Sequence, residues 1–123
     1  YMRIIKVLTN KDAKHFNKEA PKYEVIIAGF FMVNCPACES FKPEWSNFVE
    51  SCEDKHEPRA LIVEVDSNQA SNVDFYTSTL EGFPTVYRDV KSIGGGGACC
   101  AAGTPGCQLQ GIFSLDTCNR HLH

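Results

Sequence analysis

The longest apolar stretch of the chain ends directly before two cysteines, and this arrangement constrains the fold more than any other feature. Residues 24–33 read Glu-Val-Ile-Ile-Ala-Gly-Phe-Phe-Met-Val, without the alternation of polar residues that marks a half-exposed strand. A strand that lacks this alternation is buried on both faces, which is typical of a central strand in an α/β sheet. The motif Cys35-Pro36-Ala37-Cys38 follows, and the apolar residues after it recur at helical spacing.

The two cysteines therefore stand where a strand gives way to a helix. A helical turn that starts at Cys35 would bring the two sulfurs within disulfide reach and leave the Cys35 sulfur exposed at its tip. The unpaired amides of a first helical turn, together with the helix dipole, favour thiolate over thiol at that place. Strand, C-x-x-C motif and helix together indicate a dithiol/disulfide redox site.

Two alternatives compete with the redox interpretation. Structural zinc uses four Cys or His ligands, usually with a second close pair. No second C-x-x-C motif occurs among the remaining cysteines, which are Cys52, Cys99, Cys100, Cys107 and Cys118. Zinc is thus the weaker alternative, and we predict no metal site. The other alternative, two buried structural cysteines, is disfavoured because a helix start at Pro36 places Cys35 at a surface.

The rest of the chain predicts an α/β domain with a mixed sheet of four to five strands. We expect strands at residues 3–8, 60–66 and about 85–87, and helices at 10–19 and 69–80, besides the strand and helix around the cysteine motif. A helix between two successive strands indicates a parallel crossover. Residues 93–106, with four consecutive glycines, predict a Gly/Cys-rich loop insertion. A last strand at 108–113 and a short helix at 115–122 complete the prediction.

Composition limits the number of domains and the classes of partner. The chain has 123 residues, of which 43% are hydrophobic, so one domain over residues 1–123 can bury a core. A net charge of −3 leaves no electrostatic footprint for nucleic acid, and no apolar run approaches the roughly 20 residues that span a bilayer. We expect a monomer that binds neither nucleic acid nor membrane.

The localisation of the protein stays open. No signal peptide is visible, which favours the cytoplasm over a secretory lumen. Seven cysteines, however, are many for a protein of a reducing compartment.

Several motifs line up with one family. Pro43 follows Cys38 by five residues within Phe41-Lys42-Pro43-Glu44-Trp45, Val65-Asp66 closes a predicted strand, and Gly82-Phe83-Pro84-Thr85 precedes another. With the C-P-A-C motif, these residues resemble the thioredoxin superfamily, and most closely the domain type of protein disulfide isomerases, over residues 3 to about 90. The resemblance implies a thioredoxin-like three-layer sandwich, in which helices flank a central mixed sheet.

The resemblance also implies an activity. The chain would be a thiol–disulfide oxidoreductase that exchanges disulfides with protein substrates, with Cys35 as nucleophile and Cys38 as resolving thiol. Pro84 would follow a cis peptide bond. Pro84 and Phe83 would bind the substrate together with Asn34 and Pro36. Electrons would be exchanged with a reductase, glutathione or a thiol oxidase, with no cofactor besides the redox-active disulfide. The alternative is a non-catalytic protein-binding module whose two cysteines form a static disulfide.

The sequence departs from the family at two places that bear on mechanism. Relatives carry a buried acid six residues before the first cysteine, where this chain has Gly29. Glu64 on the predicted neighbouring strand is our candidate for the missing proton acceptor, and a solvated strand-end charge is the equally open alternative.

The second departure is a set of four cysteines near the C-terminus, for which we expect either a structural staple such as Cys100–Cys107 or a redox shuttle. Its members are Cys99, Cys100, Cys107 and Cys118.

Overall fold

A five-stranded mixed sheet organises the computed structural model of the chain, which describes residues 3–53, 58–74, 82–90 and 95–100. The strands lie in the order β1-β3-β2-β4-β5. β1, β3 and β2 are mutually parallel neighbours, whereas β4 pairs antiparallel with both β2 and β5. The strands are β1 (Arg3–Val7), β2 (Val25–Phe31), β3 (Ala60–Asp66), β4 (Thr85–Val90) and β5 (Gly95–Cys100), and the helices are α1 (Asn10–Glu19) and α2 (Pro36–Glu53).

Strand β2 lies at the centre of the sheet, as its apolar sequence predicts. It pairs with β3 on one side and with β4 on the other, and every residue after Val25 is buried. Successive side chains of a strand point to opposite faces. Ile27 accordingly packs in the core that contains Trp45 of α2, and Ile26 packs in the core that contains Phe16 of α1. The two helices therefore cover opposite faces, which gives the three layers expected from the sequence.

Helix α1 begins where a capping box satisfies its first amides. The Thr9 hydroxyl accepts a hydrogen bond from the Asp12 amide, and the Asp12 carboxylate accepts one from the Thr9 amide. The carboxylate also accepts from the amide of Leu8, and this bond is the largest cause of its lowered pKa. Ala13 and Phe16 form the buried face of the helix, as predicted.

Helix α2 is the longer helix and carries the cysteine motif. Its first residue is Pro36, a favourable position because the first helical amide has no partner within the helix. Pro43 lies inside the helix without ending it. Among the described residues, no helix is long and apolar enough to cross a membrane.

The predicted helix at residues 69–80 is wrong in the part that the structure describes. Ser67–Asn72 forms a short 3-10 segment instead, and residues 75–81 lie outside the described chain. The Asp66 carboxylate accepts from the Asn68 amide, and the Asn72 side-chain amide donates to Gln69. Short polar side chains that bond locally in this way compete with regular helical hydrogen bonding.

The predicted Gly/Cys-rich loop insertion at 93–106 also needs correction, because Gly95–Cys100 forms β5 and pairs with β4. Glycine has low strand propensity, but strand pairing uses backbone groups that glycine retains, and context commonly overrides propensity. The register shifts between Val86 and Tyr87, which marks an irregularity in the ladder. Residues 101–123 lie outside the described chain, and with them the predicted strand at 108–113 and helix at 115–122.

Gly29 of β2 faces the aromatic side chains that pack between α2 and the sheet. A Cβ atom at this position would lie 2.8 Å from Cε2 of Phe31 and 2.8 Å from Cη2 of Trp45. Trp45 is only 2% exposed, and its ring is packed between Phe31 and Phe48 with centroid distances of 5.6 Å and 5.7 Å. The Trp45 indole therefore fills the space that any side chain at position 29 would need.

We expect Gly29→Ala to destabilise the protein by about 1–3 kcal/mol, because the added methyl group overpacks a rigid aromatic cluster. Chemical denaturation of the wild type and the variant measures the change in the free energy of unfolding. In a Trp45→Phe background, which removes the indole atoms nearest Gly29, the same substitution should cost less. A Gly29→Ala variant as stable as the wild type would contradict this account of the packing.

Candidate active site

The two cysteines of the motif adopt the arrangement of a helix cap. Cys35 directly precedes α2, and its Sγ accepts a hydrogen bond of 3.2 Å from the backbone amide of Cys38. The Cys35 carbonyl accepts the first helical hydrogen bond, 3.0 Å from the amide of Glu39. The sulfur thus takes the place that a serine or aspartate oxygen occupies at other helix N-caps. Both cysteines are free thiols.

The predicted exposure of Cys35 is wrong. Its side chain is 6% exposed and that of Cys38 is 2% exposed. The Cys35 thiol lies beneath the loop before β4, where it donates to the carbonyl of Phe83 at 3.7 Å. The carbonyl comes from a segment 48 residues away, so the turn geometry at Cys35 alone could not reveal it.

An open groove of about 610 Å³ reaches Cys35 from solvent. The end of β2, the turn before α2, the first turns of α2 and the end of β3 supply its walls. The lining residues are Phe31, Met32, Val33, Asn34, Cys35, Pro36, Glu39, Lys42 and Asp66. Cys35 therefore lines this groove, whereas Cys38 does not.

The surroundings of Cys38 keep it protonated. Burial, followed by a hydrogen bond with Cys35, raises the pKa of the Cys38 thiol to about 11. A hydrogen bond with the backbone of Met32 and the positive charge of Lys42 act in the opposite direction, toward a lower pKa. Cys38 is thus a buried thiol whose charged form depends on neighbouring groups for stabilisation.

The loop before β4 brings the carbonyl of Phe83 to the Cys35 sulfur, and Pro84 follows it in the chain; that these two residues bind substrate stays a prediction. The peptide bond between these two residues is cis. The Thr85 hydroxyl donates to the carbonyl of Gly82 at 2.7 Å and closes the loop. Pro84 is buried, and Phe83 packs against both cores of the molecule.

Asn34 and Pro36 flank Cys35 on the rim of the groove. Asn34 is exposed and has a φ of 58°, a left-handed conformation that asparagine tolerates better than most residues. Pro36 is exposed at the first position of α2. Both predicted substrate-binding residues therefore lie beside the sulfur, and their role in binding stays a prediction.

Glu64 is held in place on the α2 face of the sheet. Its Oε1 accepts a hydrogen bond of 2.8 Å from Nε1 of Trp45, and its Oε2 lies 3.6 Å from Nζ of Lys42. Glu64 is the direct cross-strand partner of Gly29, and its side chain is 19% exposed. The alternative of a solvated strand-end charge does not describe this carboxylate. Its role as a proton acceptor stays a prediction.

Sequence reasoning missed Lys42 as a residue of the site. The lysine lines the groove, and its Nζ lies 4.3 Å from the centroid of the Phe31 ring. The distance between Cys38 and Lys42 in the sequence could have revealed this residue. Lys42 follows Cys38 by four residues, and residues four apart on a helix share a face.

The other cysteines lie apart from the dithiol or outside the described chain. Cys52 is a fully buried cysteine in the core beneath α2. Cys99 and Cys100 belong to β5, and Cys100 is the register partner of Val86. The predicted pairings of these residues, and those of Cys107 and Cys118 in residues 101–123, stay predictions. Across residues 3–53, 58–74, 82–90 and 95–100, no group of three or more side chains is placed to hold a metal ion.

Comparison with known proteins gives likenesses in structure alone. No protein-family model and no curated protein sequence matches the chain. Among solved structures, the first thioredoxin domain of mouse protein disulfide-isomerase A4 superposes with a TM-score of 0.54 at 18% identity, over 95% of this chain and 74% of that one. A thioredoxin of Schistosoma mansoni superposes with a TM-score of 0.57 at 16% identity, over 96% and 94% of the two chains. The Drosophila melanogaster thioredoxin Deadhead gives 0.54 at 14% identity, over 80% and 87%. The chain therefore has a thioredoxin-like fold.

Proposed function

We propose that the protein is a thiol–disulfide oxidoreductase that acts on protein substrates through Cys35 and Cys38. The observation that carries the proposal is the 3.2 Å hydrogen bond from the Cys38 amide to the Cys35 sulfur at the start of α2, between two free thiols. A backbone donor aimed at a sulfur, within the field of a helix N-terminus, stabilises negative charge on that sulfur. The thioredoxin-like fold agrees with this chemistry but does not by itself establish it.

The reaction proceeds in two exchanges. In the first, the Cys35 thiolate attacks one sulfur of a substrate disulfide, the substrate S–S bond breaks, and its other sulfur leaves as a thiolate that takes a proton from solvent. In the second, Cys38 loses its proton and attacks the Cys35 sulfur of the mixed disulfide. The second substrate thiolate leaves, the substrate is reduced by two electrons, and Cys35–Cys38 becomes a disulfide. The reverse sequence oxidises a substrate dithiol.

The unequal environments of the two sulfurs determine the order of attack. Cys35 lines the groove and can meet a substrate, whereas Cys38 is 2% exposed and is not among the residues that line it. Burial holds the Cys38 thiol in its protonated form at neutral pH. A resolving thiol that stays protonated leaves the Cys35 sulfur free to react with the substrate before the internal disulfide closes.

The groove suits a polypeptide more than a small polar disulfide. Met32 and Val33 are consecutive residues that line the groove, with exposed fractions of 43% and 66%, and together they present apolar surface to solvent. They offer apolar contact to residues that flank a substrate disulfide. The dithiol itself carries the two electrons, so a reductase, glutathione or a thiol oxidase of the same chemistry would complete the cycle without an organic cofactor.

A binding module with a static disulfide is the second candidate, favoured by the burial of both sulfurs. In that case an extended chain would lie beside Phe83 and Pro84 without exchange at Cys35. The two functions differ in whether a covalent intermediate forms.

We expect Cys38→Ser to accumulate a mixed disulfide between Cys35 and a disulfide-bonded substrate such as intact insulin, because the resolving attack is lost. Cys35→Ser should form none and lose more than about 99% of insulin-reduction activity, as expected for loss of a nucleophile. Cys52→Ala removes a buried thiol outside the site and is the matched control, which should retain activity. Non-reducing gels and intact-mass measurement detect the adduct.

An active Cys35→Ser variant, or a Cys38→Ser variant that never forms an adduct, would contradict the enzymatic proposal and leave the binding module.

We expect the release of substrate from the mixed disulfide to accelerate about tenfold for each pH unit between pH 7 and 9, since the Cys38 thiolate fraction rises by that factor below its pKa. The sign follows from the raised pKa of about 11, which keeps the reactive form scarce at neutral pH. Burial is the largest cause of the raised pKa, whereas the hydrogen bond with Cys35, the second cause, is lost once Cys35 is bonded to substrate, so the experiment tests the contribution of burial. Rapid quenching of the mixed disulfide at several pH values measures the rate. A rate that does not change over this range would show that Cys38 ionises at or below neutral pH.

A further inference from the structure

Two contacts orient the ammonium group of Lys42, which lines the same groove as Cys35. Nζ lies 3.6 Å from Oε2 of Glu64 and 4.3 Å from the centroid of the Phe31 ring. Phe31 ends β2 and Glu64 lies on β3, so the lysine crosses from α2 to two strands of the sheet. Its side chain is still 40% exposed and lines the groove that reaches Cys35.

The helix places this cation on the side of the resolving cysteine. Cys38 and Lys42 are four residues apart on α2, a spacing that puts both on one face. The positive charge of Lys42 lowers the pKa of Cys38 against the larger effect of burial. The other ionisable groups nearby are the Cys35 thiol, Glu39 on the same helix, Asp66 at the end of β3, and Glu64 itself.

Trp45 fixes the carboxylate that holds the lysine. Its indole ring fills the space above Gly29, and its Nε1 donates to Oε1 of Glu64 at 2.8 Å. The second carboxylate oxygen is left to face Lys42. Packing against Gly29 thus orients Trp45, Trp45 orients Glu64, and Glu64 orients the ammonium of Lys42.

We propose that Lys42 promotes the attack of Cys38 in the resolving step, and that Glu64 is a positioning residue for Lys42 and not the proton acceptor of Cys38. The inference rests on the proposed function. In the step, the Cys38 proton passes to water, the ammonium keeps its own proton, and its charge stabilises the Cys38 thiolate. That thiolate then attacks the Cys35 sulfur of the mixed disulfide, the Cys35–substrate bond breaks, and the substrate thiolate leaves.

Lys42→Met tests the role of the charge with little change in side-chain length. We expect the resolving step to slow about three- to tenfold, the effect of a change of half to one logarithmic unit in the thiolate fraction. The first attack by Cys35 should change less than about twofold, because Lys42 acts on the second thiol. Lys42→Arg, which keeps the charge, should restore most of the rate. Lys22→Met, which breaks the exposed ion pair with Glu19, is the matched control and should leave both steps unchanged.

A titration of Cys38 provides a readout that needs no substrate. In a Cys35→Ser background, thiolate absorbance near 240 nm reports the ionisation of Cys38 once the other thiols are removed. Cys52 is replaced by alanine for this purpose, and Cys99, Cys100, Cys107 and Cys118 are replaced by serine. Lys42→Met should move this titration to higher pH, and Lys42→Arg should not. An unchanged titration with Lys42→Met would overturn the inference.

Glu64→Gln separates positioning from proton transfer. Glutamine keeps an oxygen for Trp45 but loses the ion pair with Lys42. We expect it to slow the resolving step in the wild-type background and to have no further effect in the Lys42→Met background, because its influence passes through the lysine. An equal slowing in both backgrounds would show that Glu64 acts independently of Lys42, as a proton acceptor would, and would overturn its positioning role.

The two proposals fail in different ways. If the wild type forms no mixed disulfide, the oxidoreductase function fails, while the titration of Cys38 still decides the effect of Lys42 on the thiol. If the mixed disulfide forms and Lys42→Met resolves it at the wild-type rate, the inference fails and the function stands.

Discussion

The contact between the Trp45 indole and the backbone of Gly29 is the interaction on which the rest of the structure depends. It sets how closely α2 approaches β2, and both cysteines lie at the start of that helix. The same indole donates to Glu64 on the neighbouring strand, so the packing contact also fixes a charged group. A larger residue at position 29 would overlap the Trp45 ring and push α2 away from the sheet. The Glu64 carboxylate and the two cysteines would be displaced with the helix, because closely packed interiors have little free space to absorb the added volume.

This arrangement explains the departure at Gly29, where the relatives that the sequence resembles carry a buried acid. In this chain a carboxylate lies one strand away, on Glu64, directly across from Gly29 in the ladder. The Trp45 indole occupies the space above Gly29 and donates to that carboxylate through its ring nitrogen. The ammonium of Lys42 then balances the charge of Glu64 at 3.6 Å. A neutral pair beside the dithiol is less costly to bury than a single carboxylate.

The central strand and the proximity of the two cysteines could be predicted from the sequence because their signals are local. An unbroken apolar run predicts the burial of β2, and the C-x-x-C spacing at a helix start predicts the proximity of the two sulfurs. The burial of Cys35 beneath Phe83, and the contact between Trp45 and Glu64, join residues 48 and 19 positions apart. No local pattern encodes such contacts. Strand β5 was missed for a related reason, since its glycines carry no signal and the pairing with β4 decides its conformation.

The contact between the Cys35 thiol and the Phe83 carbonyl ties two distant parts of the chain together through a sulfur. The thiol at the start of α2 donates to a carbonyl of the loop before β4, across 48 positions of sequence. A sulfur in a disulfide carries no hydrogen and cannot make this bond. Oxidation of Cys35 would therefore remove a tether between the helix and the loop, and the hydrogen bonding of the loop would depend on the oxidation state of one side chain.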